Sequence, residues 1–160
     1  MRPDQRSGGG PPPAVDANAL LERMRLEAPF TYGSGLIHAY TAIRNRGEDP
    51  YPVRERLAAH VRQLEEEGKI RPKGARQDPT PLEQYADTVD AMRAHVDAMA
   101  RLPKGSQAYI DEGKLFRAAE INLKRVHMTM LEEANRRETP VQGAAPAARQ
   151  RRSARGGAER

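Results

Sequence analysis

At 160 residues, the chain has the length of one compact domain, or of a small head joined to a helical hairpin. The absence of Cys excludes disulfides and thiolate metal sites, and no apolar stretch approaches the roughly 18–20 residues of a transmembrane helix. The net charge of +5 does not make the whole chain basic, because residues 14–139 carry equal numbers of basic and acidic side chains. We therefore expect a cytoplasmic protein without a membrane partner, whose surplus charge lies in its two ends.

The two ends are predicted to be disordered tails. Residues 1–13 are rich in Gly and Pro, and residues 140–160 consist mainly of Ala, Gly, Arg and Gln without apolar periodicity, so neither can form a packed element. The C-terminal tail is basic, and we expect Arg151 and Arg152 to contact nucleic acid through their charge. An ordinary solubilising tail is the alternative.

Residues 14–77 are predicted to form a small helical head. Asp16 can cap a first helix that runs through about Ala28. The stretch that follows, residues 29–35, is predicted to be a loop. Its Gly-Ser-Gly segment at residues 33–35 lacks the Gly-Lys-Ser/Thr ending of a phosphate-binding loop, so we interpret it as a flexible connection rather than an anion site.

Two further helices are predicted in the head. Ser34 can cap the first of them, whose apolar residues recur at helical spacing until Gly47 ends it. The next helix has apolar residues at steps of four, four and three from Val53 to Leu64, and Gly68 is its predicted stop.

A basic turn, Arg-Pro-Lys-Gly-Ala-Arg at residues 71–76, follows this third helix. Together the two elements, residues 53–76, resemble the recognition helix and wing of winged-helix DNA-binding proteins. The resemblance implies that the helix enters the major groove and that a Gly-turned strand leads to a basic wing. A solvated amphipathic helix with a basic loop is the alternative. The residues that would contact DNA in matching roles are Arg54, Arg56, Arg62, Lys73 and Arg76.

Residues 78–139 are predicted to form a long antiparallel helical hairpin. Residues 80–83, Thr-Pro-Leu-Glu, have the form of a capping box with Pro at the first helical position. Residues 102–105 stop this helix, and Ser106 can cap a second one. Because the connection is short, the two helices should be antiparallel neighbours. The coiled-coil-like seams that would join them are Leu82, Tyr85, Val89, Met92, Val96 and Met99 on the first helix, and Phe116, Ala119, Leu123, Val126 and Met130 on the second.

The hairpin is also predicted to support oligomerisation. Five Tyr, two Phe and no Trp make a thin core, which association with a second copy would enlarge. The second hairpin helix is predicted to be longer than the first, so its far end lacks an intrachain partner unless the head covers it. The residues expected to join copies into a homo-oligomer are Val89, Met92, Val96, Leu123, Val126 and Met130.

The sequence contains no arrangement typical of a catalytic or metal site. Its four His residues lie in four different predicted helices, and no HxxxH or HExxH spacing places two of them on one helical face. Asp87, Asp90 and Asp97 fall on the flank of the first hairpin seam, where a solvated face is expected. We therefore predict a non-enzymatic protein without cofactor or metal, with an enzyme of unrecognised site as the remaining alternative. The four His residues are His38, His60, His95 and His127.

These features together favour a DNA-associated accessory or regulatory protein in which a helical hairpin serves oligomerisation. The alternative is a helical adaptor or structural subunit that acts through contacts with an unidentified protein partner and does not bind nucleic acid. The two functions predict different surfaces. DNA binding requires a basic face on the third helix and wing, whereas an adaptor should expose its largest apolar strip along the hairpin or the first helix.

Overall fold

The computed structural model describes residues 16–138, and most of them are helical. The predicted mainly α fold is confirmed, and this described part contains no β-strand. No helix in it is both long enough and apolar enough to cross a membrane. The predicted tails, with Arg151 and Arg152, lie outside the described residues. The elements are α1 (Ala17–Glu27), α2 (Pro29–Asn45), α3 (Tyr51–Glu66), a 3-10 turn (Lys73–Ala75), α4 (Pro81–Ala100) and α5 (Gln107–Arg137).

Three helices begin where the sequence predicts, because the residue before each of them supplies a cap. Asp16 caps α1 and Ser106 caps α5, each by accepting a hydrogen bond from a backbone amide two or three residues later. Before α4, the Thr80 hydroxyl accepts from the amide of Glu83, and the Glu83 carboxylate accepts from the amide of Thr80. This is the complete capping box that the sequence predicts.

The predicted end of α3 at Gly68 is also confirmed. Its φ of +75° lies in the left-handed region, where a side chain would be strained. The chain reverses there, and the amide of Lys69 donates to the carbonyl of Leu64 at 2.9 Å, as in a Schellman motif. Ile70 follows and is buried against the core at the end of the helix.

Helix α2 corrects the predicted loop at residues 29–35. The helix begins at Pro29, although Ala28 before it has no side chain that could cap it. The missing cap comes from Glu138, which follows α5. Its carboxylate accepts from the amides of Phe30 at 2.6 Å and Thr31 at 2.9 Å, and from the Thr31 hydroxyl at 2.6 Å. A partner more than 100 residues away therefore allows a helix to start where local sequence suggests a loop.

Close packing explains the Gly-Ser-Gly segment that suggested the loop. Gly33 lies inside α2 against α5, and a Cβ atom built on it would lie only 2.5 Å from the terminal methyl of Met130. Ser34 is buried inside the same helix and does not cap it. Gly33 therefore allows the Met130 side chain to pack against the α2 backbone, and it does not form the predicted flexible connection.

Replacing Glu138 by Ala should lower the free energy of unfolding by about 1 to 2 kcal/mol, the usual range for loss of a charged helix cap. Chemical denaturation of both proteins at neutral pH measures the difference. Glu132→Ala is the matched control, because Glu132 is exposed near the end of α5, shortly before Glu138, and it should change stability by less than about 0.5 kcal/mol. Equal stability of Glu138→Ala and the unchanged protein would contradict the capping role.

Helices α4 and α5 form the predicted antiparallel hairpin. The side-chain amide of Asn122 donates to the Thr88 hydroxyl at 2.9 Å, and nearer the turn Nδ1 of His95 lies 2.8 Å from the Glu112 carboxylate. As predicted, α5 is the longer helix, with 31 residues against 20 in α4.

Helix α2 covers the part of α5 that extends beyond α4. Arg44 and Tyr40, near the end of α2, both bind the carboxylate of Glu120, and the start of α2 lies against Glu138. The two helices are therefore antiparallel. Head and hairpin share one apolar core, whose most buried members include Ile37, Leu57, Leu64, Tyr85, Leu123 and Met130.

Candidate functional site

A groove runs between α3 and α4, and three adjoining depressions form it. We call it the α3–α4 groove. Arg54 lines the first and second depressions and Arg93 lines the second and third, so the three adjoin one another, with a middle depression of only about 10 Å³. The first, which we call the end pocket, has a volume of about 350 Å³ and lies next to the α4–α5 turn. Its lining residues are Arg54, Val96, Met99, Ala100, Leu102, Lys104, Tyr109 and Phe116.

The rest of the groove has apolar walls in its centre and charged residues at its far end. Leu57, Val89 and Met92 line the narrow middle depression together with the two arginines. The third depression has a volume of about 220 Å³. Its lining residues are Ala58, Val61, Arg62, Glu65, Lys73, Asp90 and Arg93.

Basic side chains follow the groove along its whole length. Among the described residues, Arg54, Arg62, Lys73 and Lys104 form no ion pair with an acidic group, whereas Arg93 lies 3.6 Å from Glu55. Each of these four cations can therefore bind a negatively charged group of a ligand. The groove is therefore suited to an anionic ligand that also carries apolar groups.

Arg54 is held in place by aromatic rings rather than by a carboxylate. Its guanidinium carbon lies 5.6 Å from the centroid of the Tyr51 ring and 6.0 Å from that of Phe116. Contacts of this kind orient the guanidinium through its faces, and its N–H groups are not consumed by them. Arg54 is thus presented at the edge of the end pocket with donors available for a carboxylate.

The acidic residues at the far end of the groove bind Arg76. The Arg76 guanidinium lies 2.9 Å from Glu65, 2.8 Å from Asp87 and 3.3 Å from Asp90, and its Nε donates to the carbonyl of Arg71 at 2.8 Å. Only 2% of its side chain is exposed. Arg76 therefore offsets one of the three negative charges, which lowers the repulsion of an anion from this end of the groove.

This arrangement differs from the wing that the resemblance implies. Residues 71–76 contain the short 3-10 turn Lys73–Ala75 and no strand, and Arg76 points inward because three carboxylates from α3 and α4 converge on it. Arg76 is thus buried and cannot contact DNA as expected. Arg71 is also engaged within the chain, where it binds the Glu83 carboxylate and lowers the pKa of that group below its usual range.

The other residues expected to contact DNA are divided between two places. Arg54, Arg62 and Lys73 line the α3–α4 groove, whereas Arg56 is exposed on α3 and lines none of the three depressions. The structure thus brings together three of the predicted residues in one groove.

The residues expected to join copies of the chain lie mainly in its own core. Because the head packs on the hairpin, these side chains contact α2 and α3 and cannot present a surface to a second copy. Val96 is the exception, since it is only partly buried and lines the end pocket. The five that are buried are Val89, Met92, Leu123, Val126 and Met130.

Six of the eight residues that line the end pocket were not predicted as site residues, namely Met99, Ala100, Leu102, Lys104, Tyr109 and Phe116. Phe116 was predicted for the second hairpin seam and Lys104 for the turn that precedes it. The available signal was the register of the hairpin, because a seam residue close to the turn finds few partners on the opposite helix. Met99, at the end of the first seam, is likewise only partly buried in this pocket.

The most buried polar groups lie outside the groove. His60 is 1% exposed, and its Nδ1 lies 2.9 Å from the Tyr85 hydroxyl. Burial, with a smaller effect of Arg25 and Lys69, lowers the pKa of His60 to about 3, so its imidazole is neutral. Glu120 remains charged, because hydrogen bonds from Arg44, Tyr40 and Arg117 outweigh its burial and lower its pKa.

No group of three or more His, Cys, Asp or Glu side chains in residues 16–138 is arranged to hold a metal ion. His38 and His127 face each other across α2 and α5, with ring centroids 6.3 Å apart. His60 and His95 are paired with Tyr85 and Glu112, as described above.

Comparison of the chain with protein-family models, with curated proteins and with solved structures gives no match. The ligand of the groove is therefore inferred from the shape, the lining residues and the charge of the groove.

Proposed function

We propose that the protein is a non-enzymatic helical adaptor that binds an acidic, partly apolar segment of a partner protein in the α3–α4 groove. The observation that carries this proposal is the line of cations that form no ion pair with an acidic group of residues 16–138, and this line borders apolar walls. Carboxylates of the partner would bind these cations, while its apolar side chains would lie against the partly exposed Val96, Met99 and Phe116.

Three features favour a peptide over duplex DNA as the occupant. Residues 14–139 have no net charge, so the folded part lacks the general positive potential that concentrates DNA phosphates around a protein. The end pocket is apolar inside, which suits a hydrophobic side chain and not a phosphate. Finally, Arg76 binds three carboxylates of this chain, so its charge is not available to a DNA phosphate.

The distribution of exposed apolar side chains also supports an adaptor. Tyr51 is the one large exposed apolar residue on α3, whereas the others in the described part of the chain lie on α1 and α5. This is the distribution expected of an adaptor, which exposes apolar side chains on the hairpin or the first helix. The residues on α1 are Leu20, Leu21 and Leu26, and those on α5 are Ile110, Leu115, Ile121, Met128 and Leu131.

DNA association is the second candidate function. It is favoured by the exposure of Arg56, Arg62 and Lys73 on α3 and the turn that follows it. The surplus of Arg in residues 140–160, including Arg151 and Arg152, would add affinity without sequence preference.

A binding titration with acidic peptides tests the adaptor proposal. A Glu-rich peptide that also carries Leu and Phe should bind, and the same peptide with Gln in place of Glu should bind much more weakly. Changing Arg54, Arg62 and Lys73 together to Gln should weaken binding of the acidic peptide by about tenfold or more, at roughly 0.5–1 kcal/mol for each exposed ion pair. The charge-matched control changes Lys114, Lys124 and Arg125, which are exposed on α5, to Gln.

Equal losses in the two triple variants would contradict a groove-specific role. A parallel titration with duplex DNA at several salt concentrations separates the second candidate. Binding of DNA, but not of the acidic peptide, that is lost on changing Arg54, Arg62 and Lys73 would replace the adaptor by DNA association. Binding that is lost only when Arg151 and Arg152 become Gln would assign the affinity to the tail.

A further inference from the structure

The end pocket differs from the rest of the groove in shape and charge. Its volume of about 350 Å³ lies near the lower limit of ligand pockets, so it can hold one large side chain but not a helix. Val96, Met99 and Phe116 provide apolar walls, and the flexible Met99 side chain can adapt to the shape of an occupant. Among residues 16–138, no acidic side chain lines the pocket.

Two cations stand at the edge of this pocket. Arg54 is oriented by the rings of Tyr51 and Phe116, and Lys104 extends from the turn after α4. A guanidinium whose faces contact aromatic rings can still donate two parallel hydrogen bonds to one carboxylate. An occupant that carries a carboxylate next to its apolar group would therefore place this carboxylate beside Arg54 when the apolar group fills the pocket.

The sequences of the two chain ends do not match the chemistry of the pocket. Residues 1–15 and 139–160 contain no Leu, Ile or aromatic residue that could fill the pocket, and residues 139–160 carry a surplus of Arg, which Arg54 and Lys104 would repel. The charge of the pocket edge requires an occupant with an acidic residue next to a large apolar one. A segment of another protein meets this requirement.

We infer that the end pocket takes one large apolar side chain of the partner segment, preferably aromatic, and that Arg54 binds the carboxylate of the residue next to it. This inference rests on the proposed adaptor function and names the part of the partner that determines specificity. The rest of the groove contributes charge, whereas the end pocket selects the anchoring pair of residues.

Three synthetic peptides test the inference with the full chain. They share a Gly-, Ser- and Glu-containing sequence and differ only in a central pair, which is Phe-Asp, Ala-Asp or Phe-Asn. Isothermal titration should show that the Phe-Asp peptide binds at least about tenfold more tightly than either of the others, since each of them loses one of the two anchoring contacts.

Two variants of the protein assign these preferences to the pocket. Ala100→Phe fills the pocket from its edge and should abolish the preference for Phe over Ala, whereas Ala94→Phe, also exposed on α4, should leave it unchanged. Arg54→Gln should abolish the preference for Asp over Asn and keep the preference for Phe. Circular dichroism spectra and melting curves like those of the unchanged protein establish that the variants are folded.

The possible failures of the inference and of the proposed function are distinguishable. If all three peptides bind equally well, the inferred anchor is wrong and the groove recognises acidic segments by charge alone. If none of them binds, and the Glu-rich peptide with Leu and Phe does not bind either, the adaptor proposal itself fails. A preference for Phe-Asp that survives both Ala100→Phe and Arg54→Gln would place the anchor outside this pocket.

Discussion

Replacing Arg76 by Met should lower the free energy of unfolding by about 3 kcal/mol, near the lower end of the range for removing one partner of a buried ion pair. The guanidinium is almost fully buried and binds Glu65, Asp87 and Asp90. Its loss would leave three carboxylates close together without a cation. Their partial exposure, between 24% and 42% of each side chain, lets water compensate in part and sets the effect at the lower end.

Urea denaturation at neutral pH measures this effect. Arg62→Met is the matched control. Arg62 is exposed on α3 and lines the same depression of the groove as Glu65 and Asp90, so the substitution should change stability by less than about 0.5 kcal/mol. Arg76→Lys keeps the charge but loses the planar fork that reaches several carboxylates, so it should fall between the two. A change of less than about 1 kcal/mol in Arg76→Met would show that Arg76 does not hold the end of α3, the turn and α4 together.

The same substitution should also affect binding. Without Arg76, Glu65 and Asp90 would give the far end of the α3–α4 groove a more negative potential. Acidic peptides should then bind less tightly, although Arg76 itself is too buried to contact them.

His60 should make the protein less stable as the pH falls below about 6.5. The folded state holds this imidazole neutral, with a pKa of about 3, whereas in the unfolded chain its pKa is near 6.5. Between these values the unfolded state binds a proton that the folded state does not. The free energy of unfolding therefore decreases on acidification by up to about 1.4 kcal/mol for each pH unit in this window, and above pH 6.5 His60 adds no pH dependence.

Denaturation curves at several values between pH 6.5 and 4.5 test this expectation. His60→Gln is the comparison protein, because Gln does not titrate and can still share a hydrogen bond with Tyr85. The variant differs in stability at every pH, so the quantity to compare is the slope of unfolding free energy against pH. We expect a clearly shallower slope for His60→Gln, since the other titrating groups are common to both proteins. Equal slopes would mean that His60 is protonated in the folded state.

The local elements of this fold could be predicted from the sequence because the interactions that define them join residues close together in the chain. Asp16, Ser106 and the Thr80–Glu83 capping box each act within three residues, and Gly68 acts through its own backbone conformation. The three-four apolar spacing of α4 and α5, with the short connection between them, likewise indicated the antiparallel hairpin.

The candidate site could be predicted only in part. The positions of Arg54, Arg62 and Lys73 near one helix and its turn suggested an anion-binding surface, and the structure places all three in one groove. The end pocket could not be predicted, because it forms where α3 meets the α4–α5 turn and depends on how the head lies on the hairpin. The proposed partner segment follows from that packing and not from any single motif.

The sequence by itself determined the helical class, most helix ends and the apolar face of each hairpin helix, all of which depend on local propensity and periodicity. Tertiary structure alone decided that Glu138 caps α2, that Gly33 lies against Met130 and that Arg76 turns inward to three carboxylates. Periodicity shows which face of a helix must be buried but not what covers it. The head, rather than a second copy, covers the long end of α5. Helix α2 approaches α5 closely at Gly33, and Glu138, which follows α5, caps the start of α2.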